Sequence, residues 1–284
     1  MTGPAMTGPA ITGTIERVVL PLDAASESRA AIDTAVRLAA RARAPLHAIF
    51  VEDENLLSLA GLPFARQFTL GAGAETLTTG QLERHLRAAA GRVRQELFAV
   101  ARRHGVECTF EVVRGDSSSA LAGASEHDLV VAGGQSRPIG RHFRLECRWW
   151  AALDAAPGPF LLVHHAGSPT GAVVILLRDR SIASRRLIAA AAQVAAATDR
   201  TLTVICPPAV ADRDGFEQWL GEQLAGTAVR LQVEVAPAEA AQLRARIAEL
   251  GCRTLAVEAG GAEGGGERLR EFVEHFACDI LIVR

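Results

Sequence analysis

A chain of 284 residues with a net charge of −2, of which 49% are hydrophobic and 22% charged, has the make-up of a soluble globular protein with room for two medium domains. It has neither the basic excess nor the Lys/Arg run that marks a nucleic-acid partner, and no stretch reaches the roughly 18 apolar residues of a membrane span. Cys108, Cys147, Cys206, Cys252 and Cys278 follow no Cys-x-x-Cys spacing, so reduced core thiols are expected rather than disulfides or a zinc site.

The opening, Met1-Thr2-Gly3-Pro4-Ala5, repeats at once as Met6-Thr7-Gly8-Pro9-Ala10 and has no basic or apolar region of a signal peptide. Residues 1–14 are therefore expected to be a disordered tail on a cytoplasmic protein. Residues 17–23 form a continuous apolar run, the pattern of a strand buried on both faces of a parallel sheet. Ser26 or Ser28 can cap the helix that follows, whose apolar positions Ala31, Ala35, Leu38 and Ala39 recur at helical spacing. A second strand over 46–51 leads into an irregular segment, 52–78, then an amphipathic helix over 79–103 that stops at Gly105. Strands follow at 106–113 and 128–132, separated by a turn at Arg114-Gly115-Asp116-Ser117 and a short helix to about Ser125. After Gly133-Gly134-Gln135-Ser136 come a loop, a helix with Trp149-Trp150, and a last strand over 160–163.

The unit then starts again. Val18-Val19-Leu20-Pro21-Leu22-Asp23 lies over Val173-Val174-Ile175-Leu176-Leu177-Arg178 at an offset of 155 residues, and the match runs on without a gap. The second copy supplies strands near 172–177, 202–206, 229–235, 254–258 and 280–283, with helices near 181–198, 211–225, 238–250 and 267–276. It is 35 residues shorter than the first, much of the loss falling where the first copy has its 52–78 insertion. Strands alternating with helices specify an α/β fold: two tandem open, doubly wound, Rossmann-like parallel sheets, related by a pseudo-two-fold. The expected division is a domain over 15–166, a linker over 167–171 and a degenerate domain over 172–284. The two last strands, 160–163 and 280–283, are expected to pair or pack across that axis, giving an intramolecular pseudo-dimer, with a homodimer as a further possibility.

Other motifs read blandly. Glu52-Asp53-Glu54-Asn55 is a solvated turn or helix cap rather than a cation site, because adjacent side chains on an extended chain point to opposite sides. His164-His165 lacks a third ligand at metal spacing, so no metal is expected. The apolar segment 56–64 packs within the chain, covers the ligand end of the sheet, or docks a protein partner. There is no Gly-x-Ser-x-Gly, His-Glu-x-x-His or Walker loop and hence no catalytic residue to name.

With Val18 to Asp23 followed by Ser26-Glu27-Ser28, Val113-Arg114-Gly115-Asp116-Ser117 before a short helix, and His127-Asp128-Leu129-Val130-Val131-Ala132-Gly133 at strand four, the chain resembles the universal stress protein family. That resemblance implies small α/β domains that dimerise or occur as fused pairs, some binding ATP and others not. In the binding members, nucleoside lies over the ends of strands one and two, here Pro21, Leu22, Asp23 and Val51, near a glycine after strand three, here Gly115. Phosphate lies in a loop after strand four that reads Gly-x2-Gly-x9-Gly-Ser/Thr, here Gly133, Gly134, Gln135, Ser136 and Arg137. Ser136 stands at the second glycine and Glu146-Cys147 where Gly-Ser or Gly-Thr belongs, and the second copy ends strand one in Arg178. The function implied is a non-catalytic cytoplasmic stress-response or signalling module, a weak ATPase at most. The alternatives are an ATP-binding switch in the first domain, or a ligand-free scaffold that binds a protein through 56–64.

Overall fold

The computed structural model describes residues 15–24, 29–60, 66–69, 73–76, 78–116, 118–133, 149–164, 171–212, 214–259, 276 and 278–284. The chain divides into two compact units: an amino-terminal one of residues 16–167 with 276–281, and a carboxy-terminal one of residues 168–275 with 1–15 and 282–284. The tail expected over 1–14 and most of the linker expected over 167–171 lie outside the described residues.

In the amino-terminal unit, β1 (Arg17–Leu22), β2 (Leu46–Asp53), β5 (Cys108–Gly115), β6 (Asp128–Gly133) and β7 (Phe160–Val163) run parallel in the order β7-β6-β1-β2-β5. Central strands buried on both faces must be apolar throughout, and Val18, Val19 and Leu20 of β1 are at most 1% exposed. Helix α1 (Arg29–Ala42) lays Ala31, Ile32, Ala35, Leu38 and Ala39 on that sheet. Helix α3 (Thr79–His104) starts in a capping box, Gln81 N–H donating to Thr78 Oγ1 at 3.3 Å and Thr78 N–H to Gln81 Oε1 at 3.0 Å. It stops at Gly105, whose φ of +66° closes the last turn.

The segment 52–78 is more regular than the sequence suggests. It holds helix α2 (Glu54–Ala60) and an antiparallel hairpin of β3 (Arg66–Thr69) and β4 (Gly73–Thr76). Asp53 starts the helix: its Oδ1 accepts the N–H of Asn55 at 2.9 Å, the cap reading of the acidic run. Leu57 and Ala60 of α2 are buried within the unit, whereas residues 61–65 lie outside the described residues. Strand β5 also runs further than expected. Its ladder with β2 continues through Glu52↔Arg114 and Asp53↔Gly115, so these two residues are strand, not turn.

The carboxy-terminal unit repeats the scheme with β8 (Val173–Leu176), α5 (Ile182–Ala197), β9 (Thr201–Cys206), β10 (Arg230–Val235), α8 (Ala240–Glu249) and β11 (Thr254–Glu258), its strands parallel in the order β10-β9-β8-β11. The last strand, β12 (Asp279–Val283), straddles the division, its first residues grouping with the amino-terminal unit. Where one helix over 211–225 is expected, the chain makes two short ones, α6 (Pro208–Ala211) and α7 (Phe216–Gln223). Gly215 between them has a φ of +74°, which a continuous right-handed helix cannot accommodate. The helix expected over 267–276 falls almost entirely on residues outside those described.

The ungapped repeat needs one correction. Val18 pairs with Leu46 but Val173 with Leu202, so the offset is 155 on the first strand and 156 on the second. The buried face of the following helix already repeats at 156, Ala31 and Ile32 matching Leu187 and Ile188, so the extra residue lies between the first strand and the helix; Arg43 and Asp199 then take equivalent left-handed positions at φ of 54° and 51°. The other asymmetry is cover: the 26-residue α3 precedes β5, but only the 8-residue α7 directly precedes β10. Leu231, Val233 and Val235 of β10 are 42%, 40% and 53% exposed. On the opposite face Arg246 of α8 clamps Glu234, with Nε–Oε2 at 2.8 Å and Nη2–Oε1 at 2.7 Å.

Candidate functional site

In an open parallel sheet, ligands bind at the carboxyl ends of the strands where the strand order reverses. In the amino-terminal unit that point lies between β1 and β6. The pairing Val19↔Val130, carried forward along both strands, brings Leu22 level with Gly133. Leu22 also pairs with Phe50, so Asp23 follows at the level of Val51. Pro21, Leu22, Asp23, Val51 and Gly133 thus lie along one rim, Leu22 and Val51 buried, Asp23 and Gly133 half-buried. The other loop residues singled out in the sequence, Gly134, Gln135, Ser136 and Arg137, lie outside the described residues.

Gly115 stands on the same rim one strand further out, as the last residue of β5, and the turn that follows it requires a glycine there. At a φ of +154° a Cβ there would meet Ser119 Oγ at 2.6 Å. Asp116 next to it accepts from Ser118 Oγ at 2.6 Å, Ser119 Oγ at 2.8 Å and Ser119 N–H at 2.9 Å. Led by the Ser118 hydroxyl, these bonds hold its carboxyl down to about 2. The Gly115-Asp116 pair is thus accounted for by the turn itself. Arg114 reaches across the rim to Glu52 at 3.4 Å and Glu83 at 3.3 Å, an exposed pairing.

The carboxy-terminal unit builds its rim from different chemistry. Val18 pairs with Leu129 and Val173 with Thr254, which makes Glu258 the counterpart of Gly133. A carboxylate stands where the first phosphate glycine would be. Ser184, 0% exposed, joins it to a second one, its Oγ lying 2.6 Å from Glu258 Oε1 and 2.8 Å from Asp179 Oδ1. Asp179 is held below the usual carboxylate range by Ser181, through hydroxyl and N–H, and then by Ser184. This rim offers negative charge to an incoming anion, so phosphate does not fit it. Sequence reading missed the trio; its signal is the Asp-x-Ser-x-x-Ser spacing of Asp179, Ser181 and Ser184, a helix start that ties its own polar groups. Ser184→Ala is expected to lower unfolding stability by about 1–3 kcal/mol, read as a urea midpoint shift at constant slope. An unchanged midpoint would show that the two carboxylates do not depend on the hydroxyl.

Trp149 and Trp150 open α4 (Trp149–Ala155), but their side chains lie outside the described residues. His164 gives its backbone N–H to Asp279 Oδ1 at 2.8 Å, and His165 is not among the described residues. Among the described residues, no helix is long and apolar enough to cross a membrane.

No protein-family model matches the chain. No curated protein matches it by sequence. Solved structures do match along nearly its whole length. The structure of a universal stress protein from Archaeoglobus fulgidus DSM 4304 superposes with a TM-score of 0.65 over 96% of this chain and 97% of that one, at 12% identity. A functionally unknown protein from Pseudomonas aeruginosa PAO1 gives a TM-score of 0.60 over 96% and 93%, at 16% identity. Similarity this complete at such low identity lies in the fold, and the chain has the two-unit α/β fold of the universal stress protein structure it matches.

Proposed function

We propose that this protein is a stress-response or signalling module of the universal stress type, acting in the cytoplasm and without catalysis. The observation that carries the reading is the match to a universal stress protein over both units, since a shared fold along the whole chain preserves the paired architecture as well as the single domain. Supporting it, the switch point of the second unit holds the Ser184 hydroxyl between Glu258 and Asp179 rather than a glycine rim that would admit a ligand. The test is physiological. Protein abundance, quantified by mass spectrometry, should rise on growth arrest, and deletion should lower survival afterwards. Constant abundance together with unimpaired survival would sink the proposal.

A second reading, an adenine-nucleotide switch, is favoured by the convergence of Asp23, Val51 and Gly133 on one rim of the amino-terminal unit. Asp23 would accept from the nucleoside and the Gly133 backbone would approach phosphate. Calorimetry with Mg-ATP should then show one site per chain, weakened about tenfold by Asp23→Ala and untouched by Glu258→Gln. Absence of heat with the wild-type chain at millimolar nucleotide removes this reading and leaves the first standing.

A further inference from the structure

At the opposite end of the carboxy-terminal unit, beside the amino ends of β8, β9 and β10, the structure holds an open pocket of about 460 Å³, in the range of small-molecule sites. Its lining is mixed, with polar side chains set on a sheet face that is normally apolar: Thr201 and Thr203 from β9, Arg230 and Gln232 from β10, and Asp199 and Arg200 from the turn between α5 and β9, beside Ala172 and Leu250. Thr201 pairs with Arg230 and Thr203 with Gln232, so all four side chains share one face of the sheet.

The duplication provides an internal comparison. Through the registers given above, Ala172, Thr203 and Gln232 are the counterparts of Arg17, His47 and Thr109, and Arg230 of Glu107. In the amino-terminal unit this layer satisfies itself. His47 Nδ1 lies 2.7 Å from Thr109 Oγ1, and the Arg17 guanidinium reaches Asp128 at 2.6 Å. In the carboxy-terminal unit both large side chains are gone, and the smaller Ala172 and Thr203 that stand in their places line the pocket. Thr203 is only 1% exposed, yet its Oγ1 makes no hydrogen bond among the described residues. As it stands that hydroxyl is closed to solvent, a costly arrangement that a χ1 turn toward the pocket and a ligand there would relieve. Meanwhile an acidic position has become Arg230, and Arg200 is fixed by donating to Gly171 O at 2.8 Å. With Asp199 set against these two guanidinium groups, the lining has one net positive charge.

We infer that this pocket binds a small hydroxylated anion, a phosphate monoester of a polyol, with Arg230 and Arg200 meeting the anion and Thr201, Thr203, Gln232 and Asp199 the hydroxyls. The site is independent of the switch-point rims and of whether nucleotide binds there. It is tested on the full chain by amide chemical shifts during titration with glycerol 3-phosphate, inorganic phosphate and neutral glycerol at constant ionic strength. Glycerol 3-phosphate should give saturable shifts at Thr203 and Gln232, inorganic phosphate weaker ones and glycerol none. Arg230→Gln, at an exposed edge, should weaken binding about tenfold, and the isosteric Thr203→Val several-fold. Shifts that stay linear in concentration, that glycerol reproduces, or that neither variant alters would show a water-filled groove only and overturn the assignment.

Discussion

Asp128→Ala is expected to lower unfolding stability by about 3 kcal/mol, the low end for breaking a buried ion pair because Arg17 keeps partial contact with water. Asp128 is only 2% exposed and opens β6 at its amino end, opposite the switch-point rim. It accepts from Arg17 Nη2 at 2.6 Å, Arg17 Nε at 3.2 Å and Ser125 N–H at 2.7 Å. Without the carboxylate, the Arg17 guanidinium is left with Gly123 O at 2.7 Å and loses its counter-charge, and the Ser125 N–H loses its acceptor, at the foot of two central strands. Urea unfolding should show the midpoint falling with the slope unchanged; a loss below about 1 kcal/mol would mean that water replaces the pair at little cost. The same carboxyl sets an acid limit. Burial raises its pKa, but Arg17 and Ser125 outweigh that and hold it below the ordinary value. A depressed folded-state pKa contributes stability above the unfolded value and loses it as pH falls through the folded one, so the wild type should weaken below about pH 4 and the Asp128→Ala chain less steeply.

Gly158→Ala is the second large effect, expected to cost about 2–3 kcal/mol. A Cβ at Gly158 would lie 2.5 Å from Asp128 O, 2.9 Å from Glu126 O and 3.0 Å from Ser125 O. All three are backbone atoms of the turn that delivers Asp128, so no flexible side chain can give way. Paired with Asp128→Ala, the change should cost less than the sum of the two, because both disturb the same turn. Full additivity in the double variant would show that the two sites are independent.

Strand existence was the most legible part of the sequence, since apolar runs such as Val18-Val19-Leu20 and Leu161-Leu162-Val163 admit few other readings. The extent of elements within and beside the 52–78 segment was not legible. The acidic run could be read as a helix cap, and Asp53 accepts the Asn55 N–H, but neither the helix that follows nor the continuation of β5 to Gly115 alongside β2 is visible as periodicity. The ungapped alignment hid the extra residue before Asp199, and with it the equivalence of Thr203 and His47. At the rims Asp23, Val51 and Gly133 lie near one another because strand order alone fixes which strand ends are neighbours. Sequence reading missed Ser184, because a serine near a helix start reads as a cap until its second partner, Glu258, arrives from 74 positions away.

The thin cover over β10 has a consequence for how the chain breathes. Ala236 N–H bonds back to Cys206 O at 2.8 Å, which turns the even-numbered backbone groups of β10 toward β9 and the odd-numbered ones outward. Leu231, Val233 and Val235 therefore present amide and side chain alike to solvent. Their amide protons should exchange with the solvent at rates typical of loops while those of β8 persist, so that protection within this unit is graded from strand to strand.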